Sequence, residues 1–258
     1  MVLSDVSVVY DATLCKAIRT GDQSELTDTD KEVLSFLKGI IAETKADEKD
    51  RYEAVKSRHD YLVHNVKYDE NYRAISHTPE GLMRNKTAVC DGYARTYRLL
   101  LLMLGIESDF ATGSAGGEDH AWNLVEMEDG WYHVDVTWDD PIVPGGEDTI
   151  QYLYFLKNDE DMQKTHAWER TIDCNGEKYR MYSYRDVMCS TMEEVEAVYE
   201  KQTSAHEIVF CYPKECDLTQ DGIMDYVMNR FGCGCNYYPE KEMSGYRILT
   251  VVNPLVEE

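Results

Sequence analysis

The chain contains no run of some 18 consecutive apolar residues, the length that a membrane-spanning helix requires. Its longest candidate, Leu99 to Leu104, is far too short. Met1-Val2-Leu3-Ser4-Asp5 has neither a basic n-region nor an apolar h-region, so no signal peptide is expected in this chain; export to the cell surface is expected only if a leader has been trimmed away. Basic residues are scarce: 26 Lys and Arg stand against 49 Asp and Glu, a formal net charge of −23. That balance argues against a nucleic-acid partner, whose phosphates need a basic face. It argues equally against anionic membrane surfaces, and it fits solubility and cationic substrates. Internal repeats and low-complexity tracts are absent.

What is present is a chain of 258 residues, enough for one large domain or two modest ones. Its eight cysteines are Cys15, Cys90, Cys174, Cys189, Cys211, Cys216, Cys233 and Cys235. If Cys90 stays free, seven remain and cannot all pair, so reduced thiols are the preferred expectation. A Cys174–Cys189 bridge, or a pair among the last four, is the alternative. Cys211-x4-Cys216 with Cys233-x-Cys235 is not a usual zinc-knuckle spacing, no histidine lies close in sequence, and Cys211 sits inside an apolar strand pattern. No metal and no cofactor are therefore expected.

Hydrophobic periodicity divides the chain. Residues 1–26 read as irregular or partly helical. Thr29 to Glu43 and Asp47 to Val66 carry apolar residues at helical spacing. Thr78-Pro79-Glu80 opens a short helix with Thr78 as its cap. Beyond Gly105 the period changes to two: Ser108–Ser114, His120–Met127 and Trp131–Trp138 read as strands, the last two joined at Asp129-Gly130, and Tyr152–Leu156 as a fourth. Asp159–Lys164 starts a short helix. The rest alternates as helix Met192–Lys201, strand Glu207–Tyr212, helix Thr219–Phe231 and strands around Cys235–Tyr238 and Tyr246–Val252. The expected domains are an N-terminal helical segment at 1–46, a core at 47–170, a connector at 171–189 and a small α/β domain at 190–258.

Cys90 carries the chemical signal. Thr87 to Gly92 reads as a loop entering a buried helix that Gly105 closes. A cysteine at a helix N-terminus faces unpaired N–H groups and the positive end of the dipole, both of which favour thiolate. His120 and Asp135 follow in chain order. Nucleophile, base and orienting acid in one chain point to acyl transfer through a thiol.

The hairpin tests that trio. A two-residue turn at Asp129-Gly130 pairs Glu128 with Trp131 and puts Asp139 opposite His120, with Asp135 roughly 13 Å further along the strand. A four-residue loop at Met127–Gly130 instead sets Asp135 opposite Trp122, about 7 Å from His120 on the diagonal. In both registers His120, Trp122, His133 and Asp135 share one face, read as a cleft wall, while Ala121, Val125, Tyr132, Val134 and Val136 face the core. The trio therefore demands a longer loop or a bulge; with the tight turn, Asp139 is the better orienter.

Three blocks resemble a known family: Val89-Cys90-Asp91-Gly92-Tyr93-Ala94, His120-Ala121-Trp122-Asn123-Leu124-Val125, and Trp131-Tyr132-His133-Val134-Asp135-Val136-Thr137-Trp138-Asp139-Asp140-Pro141. Together with His59-Asp60-Tyr61-Leu62-Val63 and Lys67-Tyr68-Asp69, they are similar to the bacterial transglutaminase-like superfamily over about residues 48–168. The resemblance implies an α+β fold with a papain-like core: cysteine on a helix, histidine and aspartate on adjoining strands. It implies Cys90 as nucleophile, His120 as base and acid, and Asp135 as orienter, and it favours Asp135 over Asp139. The implied activity is cleavage or transfer of an amide acyl group on a peptide or protein through a Cys90 thioester. Peptidase-like hydrolysis is favoured; protein-glutamine transglutamination and a non-catalytic binding module are the alternatives. The Cys90 N–H is the natural first oxyanion donor, and Tyr68 and Asn71 are candidates for the second.

Other features have blander readings. His133 is structural, and His59 is a packed core histidine. His64, His77, His166 and His206 carry no signal. Asp139, Asp140, Glu147 and Asp148 are a solvated acidic turn rather than a calcium site. The many tyrosines are amphipathic packing.

Overall fold

A computed structural model describes residues 5–45, 47, 49–140, 152–180, 187–243 and 246–256. It divides into two compact units, Met1–Arg180 and Met181–Glu258. Both mix helices and strands, as an α+β chain should, and among the described residues no helix is long and apolar enough to cross a membrane. The acidic turn's Glu147 and Asp148 lie outside the described residues.

The first unit opens with three helices, α1 (Asp5–Thr20), α2 (Asp28–Thr44) and α3 (Arg51–Asn65). Thr27 starts α2 with a capping box: its side chain accepts from the Asp30 N–H, and the Asp30 side chain returns the bond. The third helix begins four residues later than periodicity implies, because Asp50 caps it by accepting from the Glu53 N–H. The two-residue strands β1 (Lys67–Tyr68) and β2 (Thr87–Ala88) pair in parallel and flank α4 (Pro79–Asn85), capped by Thr78 as expected. Helix α5 (Cys90–Met103) follows. Tyr93, Tyr97 and Leu99 to Leu101 on it are at most 1 % exposed. Each such leucine contributes about 1.5–3 kcal/mol of burial, so α5 is fixed firmly and its first residue with it. Gly105, just past the helix, takes the left-handed conformation expected of a closing glycine.

An antiparallel sheet in the order β5-β4-β3-β6 packs on that helix, built from β3 (Ser108–Ala115), β4 (Glu118–Met127), β5 (Gly130–Val134) and β6 (His166–Trp168). The hairpin adopts the register that sets Asp135 beside Trp122, since Asn123 pairs with Val134 and Met127 with Gly130. It gets there without a longer loop or a bulge. The turn residues are Glu128 and Asp129, one position earlier than the Asp-Gly signal indicates. The Asp129 carboxylate accepts from the Glu177 and Lys178 N–H groups at 2.9 Å each and from the Tyr132 hydroxyl. Those bonds hold Asp129 in the turn, and Gly130 enters the strand with φ +146°.

Three expectations are corrected. The strand read as Trp131–Trp138 stops at Val134, and residues 136–139 form a turn. Tyr152–Leu156 is not a strand; only Lys157 bridges back to His133. The face read as a cleft wall is covered, with Trp122 and Leu124 each 1 % exposed in a cluster with Ala111, Met162 and Cys174. Strand β6, unforeseen, closes the sheet beside β3.

The second unit holds α6 (Met192–Glu200), β7 (Glu207–Pro213), α7 (Gln220–Phe231), β8 (Lys241–Met243) and β9 (Tyr246–Val252), with sheet order β7-β9-β8. Its core gathers Val195, Val198, Ile208, Phe210, Ile223, Val227, Leu249 and Val251. Around Cys235–Tyr238 only Tyr237 bridges, to Val251. All eight cysteines of the chain are free thiols.

Candidate active site

Cys90 is the first residue of α5, half-buried, after an extended Val89 that gives the helix no side-chain cap. Its backbone is anchored from two sides. The Val89 N–H donates to the Ser76 carbonyl at 3.0 Å, and the β1–β2 pairing sets Ala88 beside Tyr68. A Cβ on Gly92 would stand 2.3 Å from the Ser76 carbonyl oxygen. Gly92→Ala is therefore expected to displace the helix start and cost about 1–3 kcal/mol, read as a fall in thermal midpoint. An unchanged midpoint would mean that Ser76 yields freely.

His120 lies on β4, opposite Gly113 on β3. Its Nε2 donates to Asp135 Oδ2 at 2.7 Å. Asp135 does not engage Nδ1, and Cys90 lies close enough to act electrostatically on the His120 ring. Burial disfavours the imidazolium, but Asp135 and Cys90 outweigh it and raise the His120 pKa to about 10. Asp135 is fully buried, which favours its neutral form; the bonds from His120 and His166 reverse that and hold its carboxyl below the usual range. The sign follows: a histidine raised in the fold favours the imidazolium, and the preference is lost as pH rises towards 10. At neutral pH the pair is imidazolium and carboxylate.

Asp135 does more than face one histidine. Oδ1 accepts from the Thr137 and Trp138 N–H groups at 3.1 and 3.2 Å, an Asx turn that ends the strand and aims the carboxylate. Oδ2 receives His166 Nε2 at 3.1 Å in addition to His120. The aromatic rings of Trp122 and Trp138 lie 5.8 and 5.9 Å from the His120 ring.

Below this lies a second grouping of similar residue types, His133, Asp159 and Cys174, with opposite electrostatics. Trp122 Nε1 donates to His133 Nδ1 at 2.9 Å. An indole only donates, so His133 carries its proton on Nε2, which donates to Asp159 Oδ1 at 2.9 Å. Burial pushes the His133 pKa down to about 4 and the Cys174 thiol well above its ordinary range. His133 and Cys174 are thereby held uncharged, and the grouping fixes the plane of Trp122 beneath His120. In His133→Leu the Trp122 N–H loses its buried partner, at an expected cost of about 1–3 kcal/mol in denaturant unfolding; a variant as stable as the parent would show that Trp122 finds another acceptor.

Both trios, His120–Asp135–His166 and His133–Asp159–Cys174, have ligand-type atoms within 4.8 Å of one another. Hydrogen bonding already accounts for their histidine nitrogens and carboxylates.

Asp139, the alternative orienter, is committed elsewhere. Oδ2 meets His59 Nε2 at 3.1 Å and Oδ1 accepts from the Tyr154 N–H at 2.8 Å, tying α3 to the loop after the hairpin. His59 is fully buried, as a core histidine should be, and its Asp139 and Asp60 partners raise its pKa against the effect of burial. Of the two candidate donors, Tyr68 lies within electrostatic reach of Cys90, and burial holds its hydroxyl protonated well above the ordinary range. The Asn71 backbone N–H donates to Asp69. Sequence reading missed His166 altogether.

A sequence model of the transglutaminase-like superfamily matches residues 38–136. The kyphoscoliosis peptidase of Mus musculus is 26 % identical over 138 residues, covering 47 % of this chain and 21 % of that protein. The Homo sapiens kyphoscoliosis peptidase is 28 % identical over 110 residues, covering 36 % and 17 %. The match thus spans about a fifth of the length of these curated relatives. Among solved structures, a transglutaminase crystal structure is similar with TM-score 0.40 and 19 % identity, covering 50 % of this chain and 38 % of the other. A provisionally named cysteine protease from Cytophaga hutchinsonii gives TM-score 0.35 and 20 % identity, covering 44 % and 43 %.

Proposed function

Because residues 38–136 carry a transglutaminase-like domain, we propose that the chain is a thiol-dependent acyl transferase that hydrolyses amide bonds in peptides or proteins, with Cys90, His120 and Asp135 as its reacting trio. One observation carries this reading: His120 Nε2 is bonded to Asp135 Oδ2 at 2.7 Å, and Asp135 and Cys90 both act on the ring to favour its charged form. The Cys90 thiolate attacks the amide carbonyl carbon, and the carbonyl oxygen takes the negative charge. The Cys90 N–H at the helix start and the Tyr68 hydroxyl are the proposed donors to that oxygen. The His120 imidazolium gives its Nδ1 proton to the leaving amine as the carbon–nitrogen bond breaks, and a thioester remains. Neutral His120 then takes a proton from water, hydroxide adds to the thioester, and the acid leaves with Cys90 restored. An amine in place of water gives a transferred amide.

Hydrolysis is favoured because both curated relatives are named peptidases. The test is a peptide substrate offered together with a dansylated primary amine, with products weighed by mass spectrometry. Cleaved peptide that never contains the amine supports the hydrolase. Dansylated product makes the chain a transglutaminase, and unchanged peptide across a varied library makes it a binding module.

A further inference from the structure

We propose that His166 is a positioning residue for this site, fixing the Asp135 carboxylate and moderating the proton affinity of His120. The inference rests on the acyl-transfer reading, and it concerns a residue beyond the stretch 38–136 matched to the superfamily. Three independent features of the fold deliver His166 to Asp135.

The first is strand β6 itself, whose Ala115–His166 and Gly113–Trp168 pairs bring it against β3. A Cβ on Gly113 would stand 2.0 Å from the Ala167 carbonyl oxygen, so only glycine admits β6 there. The second is the small-residue face of β3. Ala111, Gly113 and Ala115 alternate on the side shared with His120 and Trp122, so side chains from β4 and β6 meet across it, and the Trp122 and His166 rings lie 4.9 Å apart. The third is a chain of hydrogen bonds. Thr165 Oγ1 lies 2.8 Å from His166 Nδ1. A Thr165 hydroxyl donating to Nδ1 leaves the His166 proton on Nε2, aimed at Asp135 Oδ2.

The consequence is electrostatic. His166 is itself 2 % exposed and shares the same oxygen with His120. Each donor weakens the hold of that oxygen on the other. Among the described residues, the titratable groups in contact with His120 are Cys90 from α5, Asp135 after β5 and His166 from β6, and the Trp122 and Trp138 rings lie against it without charge. Removing the His166 donor leaves the Asp135 charge to His120 alone, so the imidazolium should persist to higher pH.

The test measures alkylation of Cys90 by iodoacetate and by iodoacetamide across pH. The anionic reagent gains from an adjacent imidazolium, so the ratio of the two rates falls when His120 loses its proton. In His166→Phe the fall is expected at higher pH than in the parent, by about half a unit, with the rate at neutral pH reduced several-fold by the loosened carboxylate. His166→Gln, whose amide donates from the Nε2 position, is expected to restore both. Thr165→Val, at an exposed position, should shift the fall in the same direction by less and guards against misfolding of the Phe variant. A purely structural role lowers the thermal midpoint and leaves the fall where it was. A coincident or downward-moving profile in His166→Phe and Thr165→Val overturns the proposal. A parent Cys90 that resists both reagents instead defeats the acyl-transfer reading on which it rests.

Discussion

Cys90→Ser is expected to lower peptide hydrolysis by at least about 10⁴-fold while the chain stays folded. The loss comes from the nucleophile. A serine hydroxyl is far harder to ionise than a thiol, and Asp135 still favours the His120 imidazolium, which has no free nitrogen to act as a base. The arrangement suits a group that reacts as a preformed anion and wastes one that must be deprotonated. The fold should be indifferent: the side chain is half-buried at a helix start, and α5 is held by Tyr93, Tyr97 and its leucines. The check is a progress curve on a fluorogenic peptide beside a melting curve. Activity within tenfold of the parent would remove Cys90 from the chemistry.

Asp135→Asn is expected to cost about 10³–10⁴-fold, more than isostery implies. The Thr137 and Trp138 N–H groups require an acceptor at the Oδ1 position, so the new carbonyl oxygen must sit there. The amide N–H₂ is thereby turned towards both histidines, donor against donor. His120 must then shift its proton off Nε2, which leaves the wrong tautomer facing Asn, and the charge that favoured the imidazolium is gone. The alkaline limb of activity, expected where the His120 imidazolium loses its proton, should fall by about 1–3 units. A variant within tenfold of the parent, with its limb unmoved, would show that Asp135 does not set the state of His120.

Much of this site was legible in the chain because it is built from local signals. Cys90 follows a loop and precedes an apolar helix. His120 lies in a strand that a turn signal joins to the next, and the register that serves the trio was one of two that arithmetic allowed. What was not legible depends on distant bonds. The Glu177 and Lys178 N–H groups capture Asp129 and move the turn by one residue. Alternation runs on to Trp138, but the Asp135 carboxylate binds the next two free amides and stops the strand. The polar face looked like a cleft wall because the chain that covers it, including Met162 and Cys174, carries no periodic pattern. His166 gave no signal because a three-residue strand has no period, and its place depends on small residues of β3 lying 51 to 55 positions earlier. The Gly113 requirement was visible only once Ala167 was seen against it.

The most direct test of the central claim is the rate at which iodoacetamide alkylates each cysteine of the native chain at pH 7, read by mass spectrometry. Cys233 is exposed and serves as the reference within the same molecule. Cys90, although half-buried, should react at least tenfold faster than Cys233, and His120→Ala should bring it to or below the Cys233 rate. A Cys90 that reacts no faster than Cys233 in the parent, or equally fast with and without His120, contradicts the account.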